Sequence, residues 1–391
     1  MPKILILSDS SSEYSRRLLK GIVRYSKERG GWSFYRMPLY YREQHGEEGV
    51  VKWARKWNAD AIIIAQDNNL DLSKFEGLDI PIVFPNMESE DCSWCNLTGN
   101  YVECGVMAAH YYMGKGYENF AFYGTLDHNW SYQRLQGFVL TLEEAEYTAN
   151  VYSGAISIRN DQWSYQPEEL IVWLRSLPKP VAIFSSADYF AIHITETCRI
   201  YNIKVPSEVA VLGVDDDPLI CEISDPPLSS IQLDIENSGY RTAELLDKRI
   251  ASEQNYAFHV TVNHTGVAER KSTEQYATND KGLLAVISHI HTNYAKAIHV
   301  DELASISCYS RRVLEKRFKT QFKSSIYQFI LQFRINKLSH ALIHTDLPLY
   351  QLAEQCGFEE PKNIARIFTK IKGITPSEYR KRYQTTETTA Q

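Results

Sequence analysis

The chain has 391 residues, 44% hydrophobic and 23% charged, with a formal net charge of −6. A chain of this length exceeds one ordinary core, so we expect a globular protein of two or three domains. No apolar run reaches the roughly eighteen residues of a membrane-spanning helix, and the short apolar N-terminal run does not resemble a signal peptide. Seven cysteines, an odd number, favour reduced thiols and a cytoplasmic location.

Charge is unevenly distributed along the chain. Residues 280–391 carry 17 basic and 10 acidic side chains, whereas residues 1–279 carry 25 and 38. This asymmetry predicts a cationic module that faces a polyanion, joined to an acidic module with a different task. Chance composition is the alternative.

Residues 1–270 alternate between short apolar runs and amphipathic stretches. The run KILIL, from Lys3, is continuously apolar, as in a strand buried on both faces, and a helical pattern that ends at Gly30 follows it. Helices are also predicted over Tyr101–Met113 and Trp130–Glu146, between the strand candidates ADAIIIAQ, IPIVFPN, NFAFYG, VAIFSSAD and VAVLGVDD. The alternation predicts a two-lobed α/β domain of doubly wound parallel sheets, with ligands at the carboxyl ends of the strands.

The strand VAVLGV ends in three carboxylates, Asp215, Asp216 and Asp217. Carboxylates at a strand end can accept paired hydrogen bonds from the hydroxyls of a polyol. A solvated acidic loop or a Mg²⁺ site would use the same residues, so the pattern alone leaves these alternatives open.

Three segments carry a resemblance to a known family: FYGTLDHNWSYQRLQGF, IFSSADYFAIHI and the stretch from Val209 to Leu246. Together they resemble the ligand-binding core of the LacI/GalR family, which is similar to periplasmic sugar-binding proteins, over roughly residues 3–272. The resemblance implies a sugar between the two lobes. The ligand-binding residues that it implies are Asp215, Arg134, Asp188, Trp130, Ser8, Asp9 and Tyr14.

The implied roles follow the chemistry of each side chain. Asp215 would accept hydroxyl hydrogens, and Arg134 would donate its planar fork to the sugar. Trp130 would stack on the apolar face of a sugar, although a tryptophan in a core or hinge is equally consistent with its position. Gly99-Asn100 stands where the family often has Asp-Asn, which removes an expected polar contact.

The segment from Glu269 to Gly282 is polar and reads as a linker, and the pattern beyond it is wholly helical. Val300–Phe318 and Leu349–Phe368 each combine a short helix, a tight turn and a basic amphipathic helix. This repeat predicts two helix-turn-helix units, with simple packed helical hairpins as the alternative. The predicted buried stripes of the second helices are Val313, Leu314 and Phe318, then Ile364, Ile367 and Phe368.

Residues Leu283–Tyr383 resemble the DNA-binding domain of the AraC family, on LASISCYSRRVLEKRFK, RINKLSHALI and LAEQCGFEEPKNIARIFTKIKGITPSEYR. The resemblance implies two units joined by a long helix, Ile326–His344, that enter successive major-groove segments of DNA. Lys323 departs from the family because it stands where glycine is usual. The base-reading residues implied are Arg312, Glu315 and Lys316 in the first unit, and Pro361, Lys362, Asn363 and Arg366 in the second.

A LacI-like sensor followed by an AraC-like reader resembles the XylR-type xylose regulators. This implies a DNA-binding transcription regulator, an activator of pentose catabolism genes, that works as a homodimer and responds to D-xylose or a close pentose. RNA polymerase would be a further partner, and arabinose or another monosaccharide is the alternative effector. The expected domains are 1–272 for the sensor, 273–282 for the linker and 283–384 for the reader, with a disordered tail at 385–391.

Catalysis is the rival class. The chain has no GxSxG, P-loop or dinucleotide-binding motif. An enzyme would need an acid–base pair, such as Asp188 with Asp215 or Asp216, and would leave the basic module unexplained. The CxxC pair Cys92–Cys95 lacks a second pair at zinc spacing, so we expect neither a metal nor a cofactor.

Overall fold

The computed structural model describes residues 1–8, 12–65, 71–85, 94–152, 167–252, 256–358 and 363–383. The chain forms two compact units. The first contains residues 1–109 and 119–274, and the second contains residues 110–118 and 275–391. The domain limits predicted above remain predictions, and the predicted disordered tail lies outside the described residues.

The first unit is built from strands and helices in alternation. Its strands are β1 (Lys3–Ser8), β2 (Ser33–Arg36), β3 (Ala61–Ala65), β4 (Ile82–Pro85), β5 (Cys95–Gly99), β6 (Phe120–Tyr123), β7 (Ala149–Val151), β8 (Val181–Ser185), β9 (Val209–Val214), β10 (Ser229–Leu233), β11 (His259–Val262) and β12 (His264–Ala268). Its helices are α1 (Glu13–Glu28), α2 (Leu39–Trp57), α3 (Tyr101–Gly114), α4 (Asn129–Glu144), α5 (Pro167–Ser176), α6 (Asp188–Ile200), α7 (Pro218–Ile223) and α8 (Ile235–Ala251).

The strands form two sheets of six, one in each lobe. The first has the order β11-β5-β4-β3-β1-β2 and the second β12-β10-β9-β8-β6-β7. The pairings are parallel apart from the antiparallel pair of β10 with β12. The central strands β8 and β9 are buried along their whole length, as parallel strands covered by helices on both faces should be. The predicted doubly wound α/β architecture is confirmed.

The second unit is helical. Its helices are α9 (Lys281–Asn293), α10 (Val300–Ser307), α11 (Arg311–Phe322), α12 (Ile326–His344), α13 (Leu349–Gln355), α14 (Ile364–Lys372) and α15 (Pro376–Tyr383). One core, which includes Leu303, Leu314 and Phe318, lies beneath α10 and α11, and a second, which includes Leu352 and Phe368, lies beneath α13 and α14. The long helix α12 contributes to both cores, so it joins two helix-turn-helix units as expected.

Several details of the helical unit differ from the expectation. Val313, predicted to be buried, is 42% exposed. The tight turn of the first unit suggests a small buried residue at Cys308, but Cys308 is exposed and adopts a left-handed conformation with φ 58°. Lys323 also adopts the left-handed conformation, with φ 52°, so the turn after α11 keeps that geometry without glycine.

A short segment from the middle of the chain belongs to the second unit. The amide of Ala277 donates to the carbonyl of Lys115 at 2.9 Å, and Gln321 Nε2 donates to the carbonyl of Gly116 at 3.0 Å. The ammonium of Lys115 lies 4.5 Å from the ring centroid of Tyr276. Among the described residues, no helix is long and apolar enough to cross a membrane.

Candidate functional site

A buried arginine and a carboxylate meet at the strand ends of the second lobe. Arg134 Nη2 lies 3.6 Å from Asp215 Oδ1, and Arg134 Nη1 donates to the carbonyl of Ser186. Arg134 is only 3% exposed and projects from α4, whereas Asp215 follows the last residue of β9. A buried charge requires a partner of opposite sign, so the two residues stabilise each other.

Two aromatic rings lie against the guanidinium group. The Cζ atom of Arg134 lies 5.4 Å from the ring centroid of Tyr101 and 5.2 Å from that of Trp130. These distances are typical of cation–π contacts. Trp130 therefore helps to position Arg134, and it also packs against the core of the second lobe. Its predicted stacking on a sugar remains a prediction.

Two glycines bring α3 and α4 together so that Tyr101 reaches Arg134. A Cβ on Gly105 would lie 2.1 Å from the carbonyl oxygen of Arg134, and one on Gly137 would lie 2.0 Å from that of Val102. The helix backbones therefore pack in direct contact at these positions.

Gly99 solves a second steric problem at the start of α3. A Cβ there would lie 2.1 Å from Cε1 of Tyr101, so the tyrosine ring occupies the space that a side chain at position 99 would need. The ring that lies against Arg134 thus depends on the absence of a side chain at position 99.

Burial is the main influence on the pKa values of the titratable side chains around Arg134. Burial, reinforced by Tyr101 and Asp215, raises the pKa of Tyr14 well above its usual value, and burial raises the pKa of Tyr101 to about 12. Burial also raises the pKa of Asp215, although Arg134 opposes the shift. Burial disfavours the charge on Arg134, but the nearby Asp215 raises the pKa of Arg134 overall. Both phenols therefore remain neutral hydroxyl groups at neutral pH.

The three consecutive aspartates have different roles. Asp215 and Asp216 adopt positive φ values of 106° and 52°, and their carboxylates have different partners. Asp216 pairs with Arg270 at 2.8 Å, and Asp217 caps α7 by accepting from the amide of Leu219 at 2.9 Å. Among these three, only Asp215 faces Arg134. The described residues contain no group of three or more metal-binding side chains, so the Mg²⁺ alternative gains no support from them.

Asp188 stabilises the turn after β9 through buried hydrogen bonds. It is 1% exposed, and its oxygens accept from Ser230 Oγ at 2.6 Å and from the amide of Asp217 at 2.9 Å. Burial, with a smaller contribution from Asp215, raises the pKa of Asp188 well above its usual value. Because protein donors already use both oxygens, a direct contact between Asp188 and a sugar, which remains a prediction, would require one of these bonds to be exchanged.

The other predicted ligand residues are placed unevenly. Tyr14 lies on α1 within electrostatic reach of Asp215 and Arg134. Ser8 ends β1, its side chain lies outside the described part of the structure, and Asp9 lies outside the described residues altogether. Whether these three residues contact a ligand remains a prediction.

Sequence reasoning missed three residues around the site. Arg17 on α1 donates to the carbonyls of Asp215 at 3.2 Å and Leu233 at 3.0 Å, which joins the first lobe to the strand ends of the second. Tyr189 lies near Asp215, and burial followed by that carboxylate raises its pKa. Tyr101 covers Arg134. The only sequence signal for the contact between Tyr101 and Arg134 is the position of Tyr101 two residues after Gly99.

On the first basic helix, α11, Arg312, Glu315 and Lys316 are all exposed. Glu315 also accepts from Arg311 Nε at 3.1 Å, so Glu315 forms an ion pair within its own helix. These three remain the predicted readers of the first unit.

On the second basic helix, α14, Asn363 occupies the N-cap and both Asn363 and Arg366 are exposed. Pro361 and Lys362 lie outside the described residues. A groove of about 670 Å³ separates α14 from α12, with Arg366 and Lys370 on one wall and Gln328 and Gln332 on the other. The groove is also lined by apolar side chains, among them Leu331, Ile367 and Ile371, so the predicted reading face of α14 borders a groove of mixed character.

Two protein-family models match the chain. A periplasmic binding protein-like domain matches residues 109–273, and a helix-turn-helix domain matches residues 303–382. Apart from residues 110–118, the first match lies in the first unit, and the second match lies in the second unit, so the likeness extends to both parts of the chain.

Curated relatives cover nearly the whole chain. The chain is 27% identical over 387 residues to the xylose operon regulatory protein of Escherichia coli (strain K12), and the alignment covers 97% of this chain and 96% of the relative. It is 30% identical over 277 residues to the protein of the same name from Haemophilus influenzae, and this alignment covers 70% of this chain and 71% of the relative.

Among solved structures, that of a xylose-binding transcription activator superposes on this chain with a TM-score of 0.60 and 24% sequence identity, and the match covers 98% of this chain and 98% of the activator. At this identity the likeness shows a shared fold. The arrangement of one α/β unit and one helical unit along the chain is therefore shared with that activator.

Proposed function

Since the chain belongs to the family of xylose operon regulatory proteins, it is a sugar-sensing, DNA-binding transcription regulator, and we propose that its effector is D-xylose or a close pentose. We further propose that it activates genes of pentose catabolism. The relatives are regulators rather than enzymes, and this chain is likewise not an enzyme.

One observation supports the proposed effector most directly: the buried Arg134, held against the rings of Tyr101 and Trp130, pairs with the partly exposed carboxylate of Asp215 at the strand ends of the second lobe. The guanidinium can donate to ring and hydroxyl oxygens, and the carboxylate can accept from hydroxyls. The neutral phenols of Tyr14 and Tyr101 add hydroxyl partners without adding charge. The combination suits an uncharged polyol better than an anion, which Asp215 would repel.

We propose that the sugar acts by changing the balance between open and closed arrangements of the two lobes. It can shift that balance only by its difference in affinity for the two states. Arg17, which reaches from the first lobe to carbonyls of the second, would favour the closed arrangement.

Calorimetry against D-xylose, L-arabinose, D-ribose and D-glucose tests the effector. We expect D-xylose or one other pentose to bind most tightly and glucose to bind weakly or not at all. Equal affinity for all four sugars, or binding of none of them, would contradict the proposal. Incubation with each pentose should yield no product, and turnover would restore the enzyme class.

The variant Arg134→Ala tests the site. Removal of the guanidinium takes away the donor fork and leaves the partly buried Asp215 without its partner, so we expect the sugar response to be lost while operator binding without sugar persists. Operator binding serves as the control for folding, and Arg134→Lys, which keeps the charge but not the fork, should also bind sugar poorly. A full response in Arg134→Ala would place the sugar elsewhere.

The proposed DNA contacts can be tested on α14. Arg366→Ala should weaken discrimination at one base pair by about 1–3 kcal/mol if this side chain reads a base edge. Lys281→Ala removes one exposed positive charge from α9 and serves as a matched control, because it should leave base preference unchanged. Equal discrimination by the two variants would count against α14 as a reader.

We propose that the regulator is a dimer that binds adjacent half-sites and contacts RNA polymerase when it activates. Leu219 and Ile223, four residues apart on α7, are 64% and 62% exposed. Large apolar groups so close together suit a surface that a second copy covers. Leu219→Glu with Ile223→Glu should shift the sedimenting species from dimer to monomer, and a wild-type monomer at working concentrations would refute the proposal.

We also propose a cytoplasmic location. The described cysteines Cys95, Cys104, Cys198, Cys221, Cys308 and Cys356 all have free thiols, as expected in a reducing compartment. Cell fractionation tests this, and recovery from the periplasm would contradict it.

A further inference from the structure

Three buried polar atoms beside Arg134 lack partners. Ser131 Oγ, Ser186 Oγ and Arg134 Nε make no hydrogen bond within the described part of the chain. Ser131 and Ser186 are 0% exposed, so bulk water does not satisfy their hydroxyls either. Buried polar groups in folded proteins nearly always have a partner, so three exceptions in one place require an explanation.

The two hydroxyls converge on Gly124, just beyond β6. A Cβ placed on Gly124 would lie 2.2 Å from Ser186 Oγ and 3.0 Å from Ser131 Oγ. Any residue other than glycine would therefore fill the point where the two oxygens meet. The glycine keeps both hydroxyls close to each other at the carboxyl end of a strand, where ligands of α/β sheets bind.

Arg134 connects these hydroxyls to the sugar site. Ser131 lies three residues before Arg134 on α4, so the two side chains share one face of the helix. The carbonyl of Ser186 accepts from Arg134 Nη1, while Arg134 Nη2 faces Asp215. The Nε–H is therefore a buried donor of the guanidinium for which the described residues supply no hydrogen-bond partner.

The chemistry of the missing partner follows from this inventory. Each serine hydroxyl can donate one hydrogen bond and accept two, and Nε–H can donate one. A hydroxyl group, which both donates and accepts, satisfies this set. A carboxylate or phosphate would bring a negative charge close to Asp215, which the same guanidinium already neutralises.

We propose that Ser131, Ser186 and the Nε–H of Arg134 form a subsite for one hydroxyl group of the sugar, beside the edge of Arg134 that faces Asp215. The inference rests on the proposed function, because it requires a sugar in this cleft. The subsite makes its hydrogen bonds only when the sugar is bound, so those bonds contribute to the affinity of the second lobe for the sugar.

Ser131→Ala and Ser186→Ala, in the full-length protein, separate a ligand contact from a structural one. Without sugar, we expect each variant to unfold at the same temperature as the wild type or higher, because removal of a buried hydroxyl without a partner removes an unfavourable group. With D-xylose, we expect the affinity of each variant to fall about tenfold, the effect of one lost hydrogen bond.

Ser185→Ala is the matched control. Ser185 is also 0% exposed, but its hydroxyl donates to the carbonyl of Ala187 at 3.1 Å. Its removal should lower the unfolding temperature and leave sugar affinity near the wild-type value. If Ser131→Ala and Ser186→Ala behave like Ser185→Ala, the proposed subsite is a structural feature and the inference is wrong.

Binding experiments with monodeoxy pentoses test the same inference on the wild-type protein, so they do not depend on the folding of a variant. One analogue, which lacks the hydroxyl held by the subsite, should bind about tenfold more weakly to the wild type and equally well to wild type and Ser186→Ala. If every analogue still distinguishes the two proteins, the inference is overturned. Failure of the wild type to bind any pentose would instead contradict the proposed function.

Discussion

At the scale of single residues, Tyr101 covers Arg134 because position 99 has no side chain. A Cβ at Gly99 would lie 2.1 Å from the tyrosine ring, so Gly99→Ala must displace the ring from the guanidinium. We expect sugar affinity to fall about tenfold, equivalent to a lost cation–π contact of roughly 1–2 kcal/mol. Calorimetry checks this. Tyr101→Phe, which keeps the ring, should bind more tightly than Gly99→Ala, and the reverse order would contradict the prediction.

His193 makes the first unit sensitive to acid. Burial lowers its pKa from 6.5 to about 4, and its Nδ1 lies 3.3 Å from the hydroxyl of Tyr123. The unfolded chain therefore binds more protons than the folded chain between pH 4 and 6.5, so the free energy of unfolding should fall as pH drops through this window. The loss should be roughly 3 kcal/mol in full.

Chemical denaturation at pH 7 and pH 4.5 measures that loss. His193→Gln removes the titrating ring and should flatten this part of the pH dependence. An identical slope in wild type and variant would show that another group is responsible. Asp188 acts in the opposite direction, because burial raises its pKa and the folded state retains its proton to higher pH.

The sequence predicted individual site residues only in part. Arg134 and Asp215 were identified through the family resemblance, and the structure brings them together. Without that resemblance, the residue pattern could not separate Asp215 from Asp216 and Asp217, because the backbone conformation after β9, with positive φ at the first two, is not visible in the sequence. Arg17 is an ordinary arginine on an amphipathic helix until folding places it beside distant carbonyls.

At the scale of elements, the left-handed turn after α11 is strained. Lys323 adopts φ 52° and ψ 17°, a conformation that costs a residue with a Cβ about 1–2 kcal/mol relative to the right-handed helix. Lys323→Gly should therefore raise the free energy of unfolding of the helical unit by up to about 1 kcal/mol, after the greater flexibility of glycine in the unfolded chain is subtracted.

Gly373 provides the opposite test. It ends α14 with φ 76°, and a Cβ there would meet no atom within 4 Å. Gly373→Ala should thus lose about 1 kcal/mol through backbone strain alone. Thermal unfolding of both variants measures the pair, and a stabilised Gly373→Ala would show that backbone strain does not govern these turns.

Periodicity predicted the elements well where burial is one-sided or complete. The limits of α12 agree with the prediction, and α3 and α4 differ from theirs by one or two residues. Val313 was assigned to the wrong face because it lies beside Leu314 at the edge of the apolar stripe, where helical spacing alone does not fix burial. The pairing of β11 with β5, which returns the chain to the first sheet, has no local signal.

At the scale of the whole molecule, sugar and operator must influence each other equally. If sugar raises operator affinity by some factor, operator DNA must raise sugar affinity by the same factor, typically about 5- to 150-fold in regulators. Calorimetry with D-xylose, in the presence and absence of a saturating operator duplex, measures this factor. A scrambled duplex is the control, and equal sugar affinity with both duplexes would mean that the sites are not coupled.

The segment His110–Glu118, at the end of α3, has a practical consequence for engineering. Its carbonyls accept hydrogen bonds from Ala277 and Gln321, and its Lys115 lies over the ring of Tyr276. The helical unit therefore includes residues that lie more than 150 positions earlier in the chain. A chimera that grafts only the C-terminal helices onto another sensor would inherit a reader with an unfinished surface. Modular exchange in this family would have to transplant two non-contiguous pieces together.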